Sequence, residues 1–171
     1  KSAGIYNSPL GYGLGVTVGD VNNDGWPDIY VGNDFHENDY LYINNGDKTF
    51  TESISSYMAH TSQFSMGVDI ADVNNDGWAD IFSTDMMPFD PAVAQVSAGE
   101  DSDQIKMIKK DFGFQPQSAR NHFQINQQNG TYSDVAFMTK TFATDWSWSV
   151  LLQDFDNDMF ADIFITNDKE K

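Results

Sequence analysis

The stretch DVNNDGWPD, residues 20–28, returns as DVNNDGWAD at 72–80 and, more loosely, as DFDNDMFAD at 154–162. A nonapeptide kept at three places in 171 residues marks an internal repeat, and a repeat sets the architecture before any local reading does. The first two copies begin 52 residues apart and the last two 82 apart. Sliding the chain by 82 lays residues 39–52, DYLYINNGDKTFTE, on 121–134, NHFQINQQNGTYSD, without a gap. The 30 extra residues therefore fall between Asp80 and Asn121.

Around each acidic stretch the apolar pattern has period two. GVTVG (15–19) precedes the first and DIYVG (28–32) follows it, then YLYIN (40–44) and KTFTE (48–52). The second copy supplies GVDIA, DIFST, HFQIN and GTYSD, and the third SVLLQ and DIFIT. These runs read as strands separated by Asn-Gly and Gly-Asp turns. Four strands in about 50 residues make a propeller blade. The expectation is an all-β chain, a β-propeller segment of four-stranded antiparallel blades. Ten strands give about two and a half blades over 1–171, with blade repeats near 15–52, 67–134 and 148–171. Residues 86–120 read as an exposed, partly helical insertion, with Ile105, Ile108 and Phe112 at helical spacing over 103–112.

Composition narrows the function. Asp and Glu number 26 against 9 Lys and Arg, a formal charge of −17. Such a surface repels nucleic acid and anionic membrane and attracts cations. Aromatics at 14% with regular apolar runs oppose acidic disorder. Without cysteine there is no disulfide, and no apolar run is long enough to span a membrane. The chain starts Lys1-Ser2 rather than Met, as expected of a piece of something longer.

Numbered from Asp20, the first loop carries side-chain oxygens at positions 1, 3, 5 and 9: Asp20, Asn22, Asp24 and Asp28. Gly25, at position 6, permits the sharp turn that wraps the chain around one centre, and the Trp26 carbonyl at position 7 offers a fifth oxygen. Hard oxygens without Cys or His select calcium over zinc, copper or iron, and magnesium wants a stricter cage. An EF-hand would need a chelating Glu at position 12 and a following helix. Position 12 is Val31, Ser83 or Ile165, and strand-like residues follow. An ordinary Asn-Gly hairpin is the plain alternative. Three copies with one spacing oppose it, because three or four carboxylates per loop repel unless a cation sits among them. The third loop keeps Asp154, Asp156, Asp158 and Asp162 but has Met159 at position 6, which costs roughly 1 kcal/mol if that residue needs positive φ.

DxNxDGxxD between two strands resembles the FG-GAP or VCBS repeats of integrin-α-like β-propellers. The run GLGVTVGDVNNDGWPDIYVGNDFHENDYLYINNGDKTF, with TDWSW at 144–148, is more narrowly similar to bacterial VCBS-repeat proteins of the ASPIC/UnbV group. The resemblance implies a secreted protein whose full propeller has more blades than this chain. It implies calcium, two or three ions, on Asp20, Asn22, Asp24, the Trp26 carbonyl and Asp28. The second set is Asp72, Asn74, Asp76, the Trp78 carbonyl and Asp80. The third is Asp154, Asp156, Asp158, the Phe160 carbonyl and Asp162.

The remaining features carry less. Trp146 and Trp148 lie two apart on one strand face and read as inter-blade packing, with sugar stacking as the alternative. Asp34, His36, Glu37 and Asp39 read as solvated loop residues rather than an acid/base pair, and EDSD (100–103) as solvated. Arg120, the single arginine, either pairs with a buried carboxylate or is plain surface. With His36, His60 and His122 alone and no nucleophile motif, no Ser-His-Asp site is legible. The resulting expectation is a non-catalytic, calcium-binding propeller segment for adhesion or protein binding. Its place is extracellular, at the cell surface or periplasmic, and a protein or glycan ligand goes unnamed. A carbohydrate-binding module and, further off, a propeller hydrolase or lyase are the alternatives. An open arc would leave Ile29, Phe82, Trp146 and Phe164 on blade faces, to be covered by the rest of a longer chain or by other copies.

Overall fold

A computed structural model describes residues 2–6, 11–97 and 101–168. The first sheet is β1 (Tyr12–Gly19), β2 (Asp28–Asp34), β3 (Tyr40–Asn44) and β4 (Phe50–Glu52), paired in that order. After a helical turn, α1 (Ile54–Tyr57), and the short β5 (Thr61–Ser62), the second sheet opens with β6 (Gly67–Ala71) and β7 (Asp80–Thr84). The chain leaves it through β8 (Met86–Met87), α2 (Pro91–Ala94), α3 (Asp103–Asp111) and β9 (Gln117–Ser118). It returns as β10 (His122–Asn126) and β11 (Tyr132–Asp134) to complete the order β6-β7-β10-β11. A turn, α4 (Ala136–Thr139), leads to β12 (Asp145–Gln153) and β13 (Asp162–Asn167).

All these pairings are antiparallel except β5 with β9. Registers explain where the acidic stretches go. Gly19 pairs with Asp28, Ala71 with Asp80 and Gln153 with Asp162. Each stretch is thus the loop that closes the first hairpin of its sheet, one residue after the first strand ends.

The three sheets stack in an open arc, with a core in each gap. Between the first and second sheets lie Val21, Tyr30, Leu41, Ile54, Met58, Val68, Ile81 and Tyr132. Between the second and third lie Phe82, Phe123, Ala136, Val150 and Leu152. Ile81 and Phe82 are neighbours in β7 and enter opposite cores, as period two requires of a strand covered on both faces. Burying such side chains contributes about 1.5–3 kcal/mol each. The strands nearest the arc's inner side touch at the backbone: a Cβ on Gly67 would lie 2.7 Å from Ser149 Cα. This is why GVDIA starts with glycine.

Several expectations need correction. The described residues hold thirteen strands, not ten, because the chain between β7 and β10 is tied into sheets at both ends. Met86–Met87 pairs with the start of β12, and Gln117–Ser118 with Thr61–Ser62. The helix forms at Asp103–Asp111, capped by Ser102, but Ile105, Ile108 and Phe112 stay exposed. Trp146 and Trp148 are not core residues: they are 45% and 48% exposed on the last sheet, where a register shift falls between Ser147 and Ser149. Phe82 is fully buried rather than on an open face. The exposed apolar residues include Tyr12, Leu14, Val16 and Val18 on β1 and, at the other end, Leu151, Phe155, Phe160 and the expected Phe164. Glu37 and Asp39, read as solvated, are buried. Asp101 pairs with Lys109 at 2.5 Å, while Glu100 lies outside the described residues, as do 169–171 at the end of the third repeat.

Candidate functional site

The three hairpin loops share one hydrogen-bond plan. The position-1 carboxylate receives two backbone amides: Asp20 takes those of Asp24 (3.1 Å) and Gly25 (2.8 Å). Asp72 takes those of Asp76 and Gly77, and Asp154 those of Asp158 and Met159. The position-3 oxygens of Asn22, Asn74 and Asp156 accept from the same position-5 amide. The position-5 carboxylates of Asp24, Asp76 and Asp158 accept from the amides of Trp26, Trp78 and Phe160. These bonds curl each loop back onto its first residue. In the third loop Asp154, Asp156 and Asp162 each bring a carboxylate oxygen within 4.8 Å of the others.

Backbone strain follows the sequence at two positions. Asn23, Asn75 and Asn157, at position 4, have φ of 55°, 57° and 62°, a left-handed conformation that asparagine tolerates better than most residues. Position 6 is also left-handed, at 87° for Gly25 and Gly77 and 75° for Met159. The residue that departs from glycine bears the strain anticipated for it.

The position-9 carboxylate is more than a loop residue. Asp28 is wholly buried; its Oδ2 accepts from the Val21 amide (3.0 Å) and its Oδ1 from the Asn44 amide on β3 (2.7 Å). Asp80 repeats this with Val73 (3.1 Å) and Asn126 on β10 (2.9 Å). Asn44 and Asn126 add amide bonds to the carbonyls of Pro27 and Ala79. Burial pushes both carboxyls above their ordinary range against these donors, and the position-1 and position-5 charges push the same way. Asp76 moves down, chiefly through the Trp78 amide. Asp101 and Asp134, outside these loops, carry ion pairs.

Asp134 is the centre of a second cluster that sequence reading missed. Its Oδ2 meets His60 Nε2 (2.9 Å), His122 Nδ1 (2.8 Å) and Arg120 Nη2 (2.7 Å). Arg120 thus pairs with a buried carboxylate, the first of its two expected roles, and packs over Phe137 at 4.6 Å. His122 Nε2 lies 3.2 Å from Ser118 Oγ, so Ser118, His122 and Asp134 form the arrangement not legible from sequence. Burial lowers the His122 pKa, against the Asp134 hydrogen bond, which raises it. Burial raises Asp134, but the His122 and His60 bonds outweigh it and hold the carboxyl far below its ordinary range. Ser118, His60 and Arg120 line a cavity of about 520 Å³ with Met86, Pro88 and Phe137. The Arg120 guanidinium on the same oxygen opposes a cation here, although His60, His122 and Asp134 converge closely enough to ligate one. No motif signals the cluster, because His60 arrives from 62 residues before His122 and meets it only through folding.

Stacked antiparallel sheets, two of them four-stranded, each with its first hairpin closed by an acidic loop, define a partial β-propeller. Residues 20–83 match the family model described as an FG-GAP-like repeat. Integrin alpha-3 of Cricetulus griseus and integrin alpha-3 of Mus musculus are each 30% identical to it over 81 residues. The match takes in 41% of this chain and 8% of either relative, so the chain spans only a small part of their length. No helix among the described residues is long and apolar enough to cross a membrane.

Proposed function

We propose that this chain is a calcium-binding propeller segment of a protein exposed outside the cytoplasm, where it serves adhesion or protein binding without catalysis. The observation that carries this reading is the common loop plan. Ten carboxylates lie in three loops, and in the third the oxygens of positions 1, 3 and 9 are drawn together. Asp20, Asn22, Asp24, the Trp26 carbonyl and Asp28 would hold one ion. Asp72, Asn74, Asp76, the Trp78 carbonyl and Asp80 would hold a second. Asp154, Asp156, Asp158, the Phe160 carbonyl and Asp162 would hold a third. The all-oxygen donor set suits calcium, and the raised position-9 carboxyls are groups whose ionised form a cation favours. The likeness to integrin alpha-3 supports adhesion or protein binding and, with weak extracellular-type sites, an outside location. The placement near bacterial ASPIC/UnbV proteins rests on the 13–50 run and TDWSW at 144–148. The apolar end faces would be covered by further blades, from a longer chain or from other copies.

Calcium that binds only the folded state stabilises it by about 2.7 kcal/mol per site at a hundredfold excess over Kd. The melting temperature should therefore rise from EDTA to millimolar calcium; identical curves would refute the reading. Native mass spectrometry should show one ion fewer in Asp24→Ala and in Asp76→Ala, and a smaller loss of binding in Asp158→Ala.

A hydrolase is the second reading, favoured by Ser118–His122–Asp134 beside its cavity. In it Ser118 Oγ adds to an ester carbonyl and gives its proton to His122 Nε2, which passes it to the departing alcohol. Water then releases the acyl group by the reverse transfers. Covalent labelling by a fluorophosphonate, lost in Ser118→Ala, would establish it; an unlabelled wild type would dismiss it.

A further inference from the structure

Position 4 of the acidic loop is asparagine in all three copies, yet it supplies no ligand in the calcium reading. The structure shows what it does instead. Asn23 Nδ2 donates to the Gly77 carbonyl at 2.9 Å, reaching from the first loop into the second. Asn75 Nδ2 donates to the Met159 carbonyl at 2.7 Å, reaching from the second into the third. Both bonds join position 4 of one loop to position 6 of the next.

The accepting peptide group matters. The Gly77 carbonyl belongs to the same peptide plane as the Trp78 amide, and that amide donates to Asp76 Oδ1 at 2.9 Å. In the third loop the Met159 carbonyl shares its plane with the Phe160 amide, which donates to Asp158 Oδ1 at 2.8 Å. One rigid peptide is thus held at its oxygen by the preceding loop and at its hydrogen by a carboxylate of its own loop. It also leads directly into the position-7 carbonyl. On the other side, Asn23 stands between Asn22 and Asp24, and Asn75 between Asn74 and Asp76, so fixing those side chains fixes the donor.

From this we propose that Asn23 and Asn75 couple the three loops in series, so that calcium entering one raises the affinity of its neighbour. The inference rests on the calcium reading above. A loop ordered by its ion holds its asparagine in place, and the next loop then loses less conformational freedom when it fills. The effect is reciprocal, since coupling between two binding equilibria acts equally in both directions. Two bonds link three loops. Asn157 has the same left-handed backbone, but its amide meets no further loop among the described residues, which makes it an internal control.

The test is native mass spectrometry of the whole chain across a calcium titration, counting species with none, one, two or three ions. Glycine is the right replacement because it tolerates the left-handed backbone while removing the donating side chain. In the wild type, partly filled species should be depleted relative to independent sites, by about fivefold or more in the coupling constant. Asn23→Gly and Asn75→Gly should each restore independent filling of the loops they separate, with melting in EDTA reporting that the fold persists. Asn157→Gly should leave the wild-type pattern. Independent filling in the wild type, or unchanged coupling in Asn75→Gly, would overturn the proposal while sparing the calcium reading. A wild type that binds no calcium would overturn the reading itself.

Discussion

The second loop, 72–80, and the third, 154–162, have one spacing and one hydrogen-bond plan but different supports. Asp80 is fully buried and bonded to two amides, one from its own loop and one from β10. Asp162 is exposed and holds the Phe155 amide of its own loop. The difference lies behind the loop. The second sheet has a third strand, β10, that lends Asn126, whereas among the described residues β13 is the edge strand of the third sheet. Position 6 differs too, glycine in one and methionine in the other at similar left-handed φ. A motif therefore fixes the shape of a loop, whereas the neighbouring strand decides how firmly its last carboxylate is held.

The largest expected effect follows directly. Asp80→Ala strips two amides of their acceptor inside the protein, each worth about 1–3 kcal/mol when left unmade. Urea unfolding in EDTA should show a loss of about 3 kcal/mol, against under about 1 kcal/mol for Asp162→Ala. Equal losses would break the comparison.

A second contrast sets Asp39 against Asn121, which occupy matching places in the first and second sheets. Asp39 accepts from the Asn33 amide at 2.8 Å and the Tyr30 hydroxyl at 2.7 Å, while Asn121 Oδ1 accepts from the Asp85 amide at 2.7 Å. Burial lifts Asp39 to about 7 and Asp85 to about 6. A carboxyl raised on folding stabilises below its unfolded pKa, and that contribution is lost as pH rises through the folded value. Asp39 therefore weakens the fold between about pH 4 and 7. The neighbouring sheet already carries asparagine at this place. Asp39→Asn should gain stability on the wild type as pH rises from 4 to 8, by on the order of a few kcal/mol. Parallel pH profiles of melting temperature would contradict it. His122, whose pKa is lowered, acts oppositely, because its contribution is lost on acidification through that lowered value.

The smallest effect is at position 6. Met159→Gly should stabilise by about 1 kcal/mol and Gly77→Met cost about as much, both read in EDTA. A Met159→Gly variant no more stable than the wild type would mean that the third loop bears no strain.

The sequence by itself determined the repeat, the strands of the blades and the loops between them. YLYIN, GVDIA, DIFST and HFQIN coincide with β3, β6, β7 and β10, because period-two apolar runs and Asn-Gly turns are local signals. The loop curl was equally legible, since its bonds span at most seven residues. What tertiary structure decided lies across the gaps between sheets. It buried Asp39 and Glu37, left Trp146 and Trp148 half exposed, gathered His60, Arg120 and His122 on Asp134, and set Ser118 against His122. It also gave the position-4 asparagines their acceptors, 54 and 84 residues away. Burial and long-range hydrogen bonds depend on which surface the folded chain brings opposite each residue, and a local pattern holds no information about a neighbour that only folding supplies.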